Sequence, residues 1–478
     1  MKTCEHTLKP SCRRRWISVA AAAAALACVA PAKDSEEPRV DRIFAAYDKT
    51  DSPGCALGVI RNGEFIYRKG YGMASLELGV PISSRSLFYM GSVSKQFTAA
   101  SVVLAAEQGL LSLDDSVRKY IPELPAYAQP ITLREMLHHT SGFRDVLALL
   151  DLSGRSAADL HTTAEFLSLV TRQKALNYPP GDEYLYSNTN YFLLAQIVAR
   201  VSKKPFSEFA QENIFGPLGM THTRFYDDHN LVVPGRIPAY APGKNGGFTV
   251  DWSTNFDKVG DGGLLSSVDD LLLWDRNFYH NKLGKGTLIK ELETRGVLNS
   301  GKQIDYALGL RITTYRGLPI VEHGGALFGY RTEILRFPEQ NFTVLCLCNL
   351  ETSVPGDLSH RVADVYLGKE LGPQESAVKR DAGQRDFNGI FSPFDVAQYA
   401  GKYHSTELDA TFQILGKQGK LVLERGWDPP LELMQFGNTQ AVTRDGRLTL
   451  TFIGSGGRIT GFDLSAGRIH GIHFQRID

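Results

Sequence analysis

The sequence predicts a mixed α/β (α+β) domain followed by a small all-β, barrel-like domain. Within residues 38–371, strand-like runs lie near both ends, and a helical, loop-rich texture fills the stretch between about 86 and 300. Because strands at both ends of one region pair most simply within one sheet, we expect an antiparallel sheet built from both termini, flanked by helices, with an inserted helical lobe. Residues 396–478 contain only short strand patterns, which are typical of a small barrel or sandwich.

Residues 1–32 are predicted to be a signal peptide that lies outside the fold. Basic residues precede the apolar run 16–30, which is too short to span a bilayer as a helix. The small residues that follow allow cleavage after Ala27 or after Ala32. Cys28 also fits a lipoprotein signal, in which the mature chain would begin with a lipidated cysteine. We therefore expect an exported, periplasmic or cell-envelope protein, and a lipid anchor at Cys28 is the one membrane contact left open.

The domain that follows begins with a predicted β-hairpin. Its two apolar runs, 55–60 and 65–70, flank Asn62-Gly63, which is a strong hairpin signal. Helical patterns then occur at 95–108, 133–138, 190–202, 207–214 and 267–279. Strand texture returns at 308–314, 330–337 and 342–348. A ligand site is expected in the cleft between the sheet and the helical lobe.

A polar, charge-mixed stretch without periodicity, 372–395, is interpreted as a linker to the C-terminal domain. Beyond it, strands are predicted at 411–415, 421–424, 431–436, 448–453, 459–464 and 468–476. In one of them Leu448, Leu450 and Phe452 alternate with other residues, which indicates a strand with one buried face.

Composition and charge exclude several classes of protein. The chain has 478 residues, 43% hydrophobic and 22% charged, with 52 basic and 52 acidic residues. Without residues 1–32 the balance becomes 47 basic to 51 acidic. These values exclude a basic nucleic-acid binder, an acidic solvating chain and a generally disordered chain, so no nucleic-acid partner is expected.

Three cysteines remain beyond the leader: Cys55, Cys346 and Cys348. Cys346 and Cys348 share one face of a predicted strand, where two residues are poorly placed for a disulfide. An odd count in an exported chain also argues against a disulfide framework, so all three are expected to be small buried hydrophobic residues. No HExxH, CxxC pair, carboxylate–histidine cluster or phosphate-binding glycine loop occurs, so no metal and no cofactor are predicted.

A first catalytic pattern, Ser92-Val93-Ser94-Lys95, lies at the start of a predicted helix. Residues three apart on a helix share a face, so the Ser92 hydroxyl and the Lys95 amine can meet. A serine becomes a useful nucleophile when a neighbour takes its proton, and lysine can do so if burial or nearby cations lower its pKa. The pattern recurs at 376–379, and Ser92 alone also fits a helix N-cap.

Two further patterns add polar groups to the expected cleft. If the segment around Tyr186-Ser187-Asn188 is extended, Tyr186 and Asn188 point the same way. The phenol could then relay a proton to or from Ser92 or a leaving group, and the amide could hold Lys95. In the run 323–326, two glycines would let a strand edge approach a ligand closely, and His323 could hydrogen-bond the substrate or tune the proton network.

The order of these motifs resembles the serine β-lactamase and penicillin-binding-protein superfamily over about residues 40–370. The resemblance is strongest to its class C-like branch, including D-aminopeptidases and family VIII-type esterases. It implies a β-lactamase-like α/β fold, and the C-terminal strands resemble the lipocalin-like modules appended to some D-aminopeptidase-like relatives. For the catalytic residues it implies Ser92 as nucleophile, Lys95 as base or proton partner, Tyr186 as general acid or base, and Asn188 as the orienting group.

On the substrate side, the resemblance implies binding by His323, Gly325 and Ala326, with the backbone N–H groups of Ser92 and Ala326 forming an oxyanion hole. Many β-lactamases carry lysine where this chain has His323. Histidine is mostly neutral at pH 7 and lacks the permanent cation that grips a β-lactam carboxylate. Histidine at this position is common in related esterases and D-amino-acid peptidases.

We therefore predict an exported serine hydrolase that cleaves an ester or amide bond through a Ser92 acyl-enzyme. The expected type is an esterase or D-amino-acid peptidase acting on a small-molecule or peptide-like substrate. A D-alanyl carboxypeptidase or weak β-lactamase is an alternative of the same class. A non-catalytic cell-wall binding or regulatory protein is an alternative of another class.

Overall fold

The computed structural model of the chain describes residues 36–251, 255–373, 396–426, 429–436, 439–455 and 458–478. The predicted signal peptide, with its lipidation candidate Cys28, lies outside these residues. So does all but the start of the predicted linker at 372–395. In the part of the chain that the structure describes, no helix combines the length and the apolar character needed to cross a membrane.

The structure contains both α-helices and β-strands in the order expected for two domains. The helices are α1 (Glu36–Phe44), α2 (Ser94–Glu107), α3 (Leu133–Leu137), α4 (Val146–Leu152), α5 (Thr163–Thr171), α6 (Asn188–Ser202), α7 (Phe206–Ala210), α8 (Gly216–Leu218), α9 (Val268–His280), α10 (Leu288–Leu292), α11 (Pro355–Leu367) and α12 (Val396–Tyr399). The strands of the first domain are β1 (Cys55–Arg61), β2 (Glu64–Tyr71), β3 (Met73–Ser75), β4 (Val80–Pro81), β5 (Phe88–Tyr89), β6 (Arg224–Phe225), β7 (Tyr240–Pro242), β8 (Phe248–Val250), β9 (Leu264–Ser266), β10 (Arg311–Tyr315), β11 (Leu318–Leu327), β12 (Tyr330–Phe337) and β13 (Phe342–Cys348). Those of the second domain are β14 (Gly401–Ser405), β15 (Ala410–Lys417), β16 (Lys420–Arg425), β17 (Leu431–Phe436), β18 (Gln440–Thr443), β19 (Thr449–Ser455), β20 (Arg458–Ala466) and β21 (Ile469–Arg476).

The central sheet confirms the expectation that both ends of the first domain build it. Its order is β10-β11-β12-β13-β1-β2, and every neighbouring pair is antiparallel. The β1–β2 hairpin turns at Asn62 and Gly63, whose φ angles of 53° and 75° are both positive. A two-residue turn of this kind matches the right-handed twist of paired strands, which is why Asn-Gly marks it in sequence.

Both faces of this sheet are covered, so its central strands β1 and β13 are mostly apolar and buried. Every residue of β13 is buried. In β1, Leu57 and Val59 pack in a cluster with α1 and α11 on one face, whereas Ala56 and Ile60 pack on the other face with the helical lobe. The layers are therefore helix, sheet and helical lobe.

The helical lobe is inserted between β2 and β10, and α2 runs through its centre. Residues 94–105 of α2 are all buried, because the helix is surrounded by other elements. The predicted helix at 207–214 is in fact α7 followed by a π-helical turn, Gln211–Phe215. Since α2 begins at Ser94, the first turn of this buried helix lies at the edge of the sheet.

The C-terminal domain is a closed eight-stranded barrel, which settles the choice between barrel and sandwich. Its order is β14-β15-β16-β17-β18-β19-β20-β21, and β14 also pairs with β21. The expected buried face at Leu448, Leu450 and Phe452 is present. Two strands were not predicted. The strand β14 begins with glycine and carries polar residues, and β18 has only four residues.

The prediction that all three cysteines are unpaired is wrong, because Cys55 and Cys348 form a disulfide. The two residues face each other across the β1–β13 pair. Cys346 and Cys348 share one strand, and the sequence does not show that β1 lies beside that strand and brings Cys55 opposite Cys348. Cys346 is the buried free thiol, with its sulfur 3.8 Å from that of Cys348.

The barrel is docked on the first domain through a buried ion pair. Arg144, just before α4, lies 2.6 Å from Glu407 of the barrel, and their side chains are 2% and 4% exposed. The same guanidinium donates hydrogen bonds to the carbonyl oxygens of His470 and Gly471 in β21. The turn between β20 and β21 is thereby fixed against the mouth of the cleft.

Candidate active site

A cavity of about 610 Å³ lies where the edge of β11 meets the turn before α2. Six of the seven residues predicted from sequence line this cavity, and the seventh, Lys95, is fully buried beside Ser92. The six are Ser92, Tyr186, Asn188, His323, Gly325 and Ala326. Segments from distant parts of the chain therefore converge on one cleft between sheet and lobe.

The Ser92 hydroxyl and the Lys95 amine are in direct contact. A 3₁₀ turn, Gly91–Val93, precedes α2 and presents Ser92 to the cavity. Lys95 Nζ donates hydrogen bonds to Ser92 Oγ at 3.0 Å, to Asn188 Oδ1 at 2.9 Å and to the carbonyl oxygen of Asp261 at 2.6 Å. All three donors of the ammonium group are therefore used, and one is directed at the hydroxyl.

Burial makes Lys95 a plausible base near neutral pH. It lowers the pKa of the Lys95 amine from 10.5 to about 7, because the charged form loses its hydration. Asp261 acts in the opposite direction and Lys258 adds to the lowering. Lys258 and Asp261 are themselves a buried pair, with Nζ and Oδ2 2.5 Å apart and side chains 3% exposed.

The Tyr186 ring lies over the same amine, with Lys95 Nζ 4.8 Å from the ring centroid. Its hydroxyl is buried beside the Ser92 hydroxyl. Burial raises the pKa of this phenol above its ordinary value, and the neighbouring Ser92 hydroxyl and Arg468 guanidinium oppose that shift. The group is thus held as a neutral phenol that can donate a proton.

The His139 ring packs against the Tyr186 ring. The two ring centroids are 4.2 Å apart, and His139 Nδ1 accepts a hydrogen bond from the Ser187 N–H at 3.1 Å. The expectation of an extended segment holds only as far as Ser187, because Asn188 is the first residue of α6. The helix start nevertheless brings Tyr186 and Asn188 to the same cleft.

Asp145 fixes the orientation of the Asn188 amide. Its Oδ2 accepts hydrogen bonds from the Asn188 backbone N–H at 2.6 Å and from Nδ2 at 2.8 Å. Since the amide NH₂ is used in this way, the amide oxygen faces Lys95. The other carboxylate oxygen caps α4 by accepting from the N–H groups of Leu147 and Ala148.

His323 lines the cavity as an uncharged side chain. Its Nε2 lies 3.0 Å from the Tyr306 hydroxyl and its Nδ1 lies 2.7 Å from the Gly324 carbonyl oxygen, which assigns the proton to Nδ1. Burial lowers the pKa of the imidazole to about 3, and the Lys95 charge adds to this. Both ring nitrogens of His323 thus have protein partners. A substrate could bind His323 directly only by replacing one of these partners, so substrate binding by His323 stays a prediction.

Glycines allow the edge of β11 to touch the turn that carries Ser92. A Cβ on Gly325 would lie 2.1 Å from the Met90 carbonyl oxygen, and one on Gly91 would lie 2.7 Å from the Ala326 nitrogen. Gly91 also has a φ of 52°, which other residues rarely adopt. This packing places the Ala326 N–H next to the Ser92 turn, and its role in an oxyanion hole stays a prediction.

The polar residues of the site that were not predicted from sequence include Asp145, His139, Lys258, Asp261 and Arg468. Lys258 and Asp261 precede Gly262-Gly263, a pair that could have drawn attention to this loop. Asp145 and Arg468 lie in segments with no local signal for chemistry, and His139 follows the short helix α3, where a histidine is interpreted as a capping or packing residue. Arg468 belongs to the barrel, so only the docking of the two domains brings it to the cavity.

One group of side chains in the described ranges could hold a metal ion, namely Cys55, Cys346 and Cys348. All three are buried, and their sulfur atoms lie within 4.8 Å of one another. The disulfide already uses two of these sulfurs, so the set would offer three thiolates only after reduction. The group lies in the sheet and not among the residues that line the cavity.

The fold and this site together are those of the β-lactamase and penicillin-binding-protein superfamily. A family model described as Beta-lactamase matches residues 40–368, and the chain belongs to that family. The match ends before the barrel begins. The suspected resemblance is thereby confirmed.

Two curated relatives illustrate the branch. Penicillin-binding protein 4* of Bacillus subtilis is 30% identical over 86% of this chain and 92% of its own length. A D-aminopeptidase of Gluconobacter oxydans is 27% identical over 72% of this chain, and the match spans 64% of that enzyme's length. The chain thus covers less than two thirds of the D-aminopeptidase.

Solved structures support the fold, one of them over nearly the whole chain. A penicillin-binding protein homologue from Pyrococcus abyssi superposes with a TM-score of 0.62 at 22% identity, covering 92% of this chain and 98% of that one. A D-amino acid amidase from Ochrobactrum anthropi superposes with a TM-score of 0.58 at 20% identity, covering 70% of this chain and 99% of that one.

Proposed function

We propose that this protein is an exported serine hydrolase that cleaves an ester or amide bond through an acyl-enzyme on Ser92. The proposed substrates are those of an esterase or a D-amino-acid peptidase. The observation that carries the proposal is the fully buried Lys95 amine, 3.0 Å from the Ser92 hydroxyl, with a pKa lowered to about 7. The names of the relatives, a D-aminopeptidase and a D-amino acid amidase, support the choice of substrate class.

In the proposed reaction, Ser92 Oγ attacks the substrate carbonyl carbon while the neutral Lys95 amine takes the hydroxyl proton. The carbonyl oxygen becomes an oxyanion and receives hydrogen bonds from the Ser92 and Ala326 N–H groups. As the bond to the leaving group breaks, the Tyr186 phenol gives it a proton and recovers one from the Lys95 ammonium. Water then releases the acyl group by the reverse proton transfers.

Fluorophosphonate labelling tests the nucleophile. The full chain should be labelled, and Ser92→Ala should abolish the label because the reagent bonds to an activated serine hydroxyl. Ser376→Ala is a matched control, since residues 376–379 repeat the Ser-x-x-Lys pattern. Persistent labelling of Ser92→Ala would show that another residue is the nucleophile. If the unaltered chain were not labelled either, a non-catalytic binding protein would be favoured.

A small substrate panel tests the reaction type. We expect turnover of nitrophenyl esters or D-amino-acid anilides to exceed that of nitrocefin, because His323 is neutral and supplies no cation for a β-lactam carboxylate. Nitrocefin turnover as efficient as ester cleavage would instead favour the alternative that the protein is a β-lactamase. Mass spectrometry of the mature N-terminus tests export, and a start at Lys33 without modification would exclude lipidation at Cys28.

A further inference from the structure

A buried ion pair lies directly beside the Lys95 amine. Lys258 Nζ and Asp261 Oδ2 are 2.5 Å apart, and both side chains are 3% exposed. The backbone of the same aspartate contacts the amine, because Lys95 Nζ donates a hydrogen bond to the Asp261 carbonyl oxygen at 2.6 Å. A buried ion pair generally adds little to stability compared with well-packed apolar side chains, so this pair calls for another role.

The loop that carries the pair, 258–263, is anchored to α2, the helix that carries Lys95. Thr98 Oγ1 on this helix donates a hydrogen bond to the Gly260 carbonyl oxygen at 2.8 Å. The N–H group of Leu264, just after the loop, donates to Ser94 Oγ at 3.2 Å. The carbonyl oxygen that accepts from the amine is therefore fixed relative to the helix.

Aromatic side chains keep the pair away from water. Lys258 Nζ lies 5.1 Å from the centroid of the Phe166 ring and 5.5 Å from that of the Phe256 ring. In such a dry environment charges interact more strongly than they do in water. The Lys258 and Asp261 charges therefore act on the nearby amine with little screening.

A second ion pair acts on the amine from the barrel side, but more weakly. Arg468 Nη1 and Asp145 Oδ2 are 3.6 Å apart, and the arginine side chain is 45% exposed. Solvent and salt screen the charge of an exposed side chain. The charges of Asp261 and Lys258 accordingly affect the pKa of Lys95 more than those of Asp145 and Arg468.

The other titratable side chains that face the amine are held uncharged by burial. They are His139, His323, Tyr186 and Tyr191. Burial lowers the pKa of both histidines and raises the pKa of both tyrosines. The buried pair is therefore the main source of charge at the amine, and its two members act in opposite directions.

We propose that Lys258 and Asp261 are positioning residues for the Lys95 base. Asp261 holds the amine through its carbonyl oxygen, and Lys258 offsets the charge of the Asp261 carboxylate so that the amine can lose its proton near neutral pH. The inference rests on the proposed function, in which Lys95 takes the Ser92 proton. Without Lys258, the Asp261 carboxylate would hold a proton on Lys95 and leave Ser92 without a base.

The protonation of Lys95 can be measured without turnover. ¹³C NMR of the full chain, labelled at the lysine Cε atoms, would give the midpoint of the Lys95 titration, and the absence of its signal from Lys95→Arg would assign it. Lys258→Gln leaves the Asp261 carboxylate without its counter-charge, so the midpoint should rise by about one pH unit or more. Asp261→Asn removes the carboxylate and keeps the carbonyl oxygen, so the midpoint should fall.

Two further variants control the measurement. Asp275→Asn is the matched control, because Asp275 forms a buried pair with Arg336 at 3.0 Å, with side chains 2% and 1% exposed, and does not line the cavity. It should leave the Lys95 midpoint unchanged. The double variant Lys258→Gln/Asp261→Asn removes both charges and should give a higher midpoint than Asp261→Asn, which tests Lys258 even if Lys258→Gln alone does not fold.

Opposite shifts in the two single variants would support the proposal. Unmoved midpoints, shifts in the same direction, or an equal shift in Asp275→Asn would overturn it. Opposite shifts in a protein that hydrolyses no ester or amide would instead overturn the proposed hydrolase function and leave the effect of the pair on Lys95 in place.

Discussion

The pH dependence of ester hydrolysis should report the titration of Lys95. Burial lowers the pKa of its amine from 10.5 to about 7. At pH 7 an amine with the higher value would be neutral in roughly one chain of 3,000, whereas a pKa of about 7 leaves about half of the chains neutral. Burial therefore raises the fraction of chains with a competent base by about a thousandfold.

The direction of the effect follows from the role of the amine. Lys95 accepts the Ser92 proton only when it is itself unprotonated, so kcat/KM should rise with pH and level off above about 7. Below that value it should fall about tenfold for each pH unit. The assay is kcat/KM for p-nitrophenyl acetate between pH 5 and 9, corrected for spontaneous hydrolysis, because this ester carries no titrating group in that range.

Lys95→Arg provides the test of the assignment, since a guanidinium is not deprotonated in proteins. We expect its ester hydrolysis to be reduced to background at every pH. A midpoint above pH 9 in the unaltered protein would refute the buried-base reasoning. So would a Lys95→Arg variant that keeps its activity.

Three other perturbations probe the docking, the turn and the disulfide. Glu407→Ala leaves the Arg144 guanidinium buried without its counter-ion, so urea denaturation should show a free energy of unfolding lower by about 3–5 kcal/mol. An unchanged value would contradict the buried pair. Gly91→Ala would place a methyl group 2.7 Å from the Ala326 nitrogen, so ester hydrolysis should fall while far-UV circular dichroism is retained; full activity would contradict the close packing. Thiol titration of the unfolded chain that begins at Lys33 should find one free thiol, Cys346, before reduction, and three would contradict the disulfide.

The central sheet and the contact between Ser92 and Lys95 could be predicted because their signals are local. Asn62-Gly63 has few alternatives to a tight hairpin turn, and the apolar runs beside it must be buried. The spacing from Ser92 to Lys95 is a helix repeat, so the contact between them follows once the helix forms. β13, in which Thr343 is the one polar residue, was equally clear, because a strand covered on both faces needs no alternation.

The features that could not be predicted depend on contacts between segments that are far apart in the sequence. Cys55 and Cys348 are 293 residues apart and pair only because β1 lies beside β13. Asp145 caps α4 with one carboxylate oxygen, and nothing near it in the sequence shows that its second oxygen will orient Asn188. One sequence does not record which surface of a barrel will dock, so Arg468 carried no signal for the site.

The central claim is that Ser92 is acylated with Lys95 as its base, and trapping the covalent intermediate tests it most directly. Intact mass after mixing with a slowly turned-over nitrophenyl ester should show one added acyl group, which peptide mapping should place on Ser92. The adduct should be absent from Ser92→Ala and should form at least 100-fold more slowly in Lys95→Met, on the order of a general base's usual contribution. An acyl group on another residue, or unchanged acylation of Lys95→Met, would contradict the account.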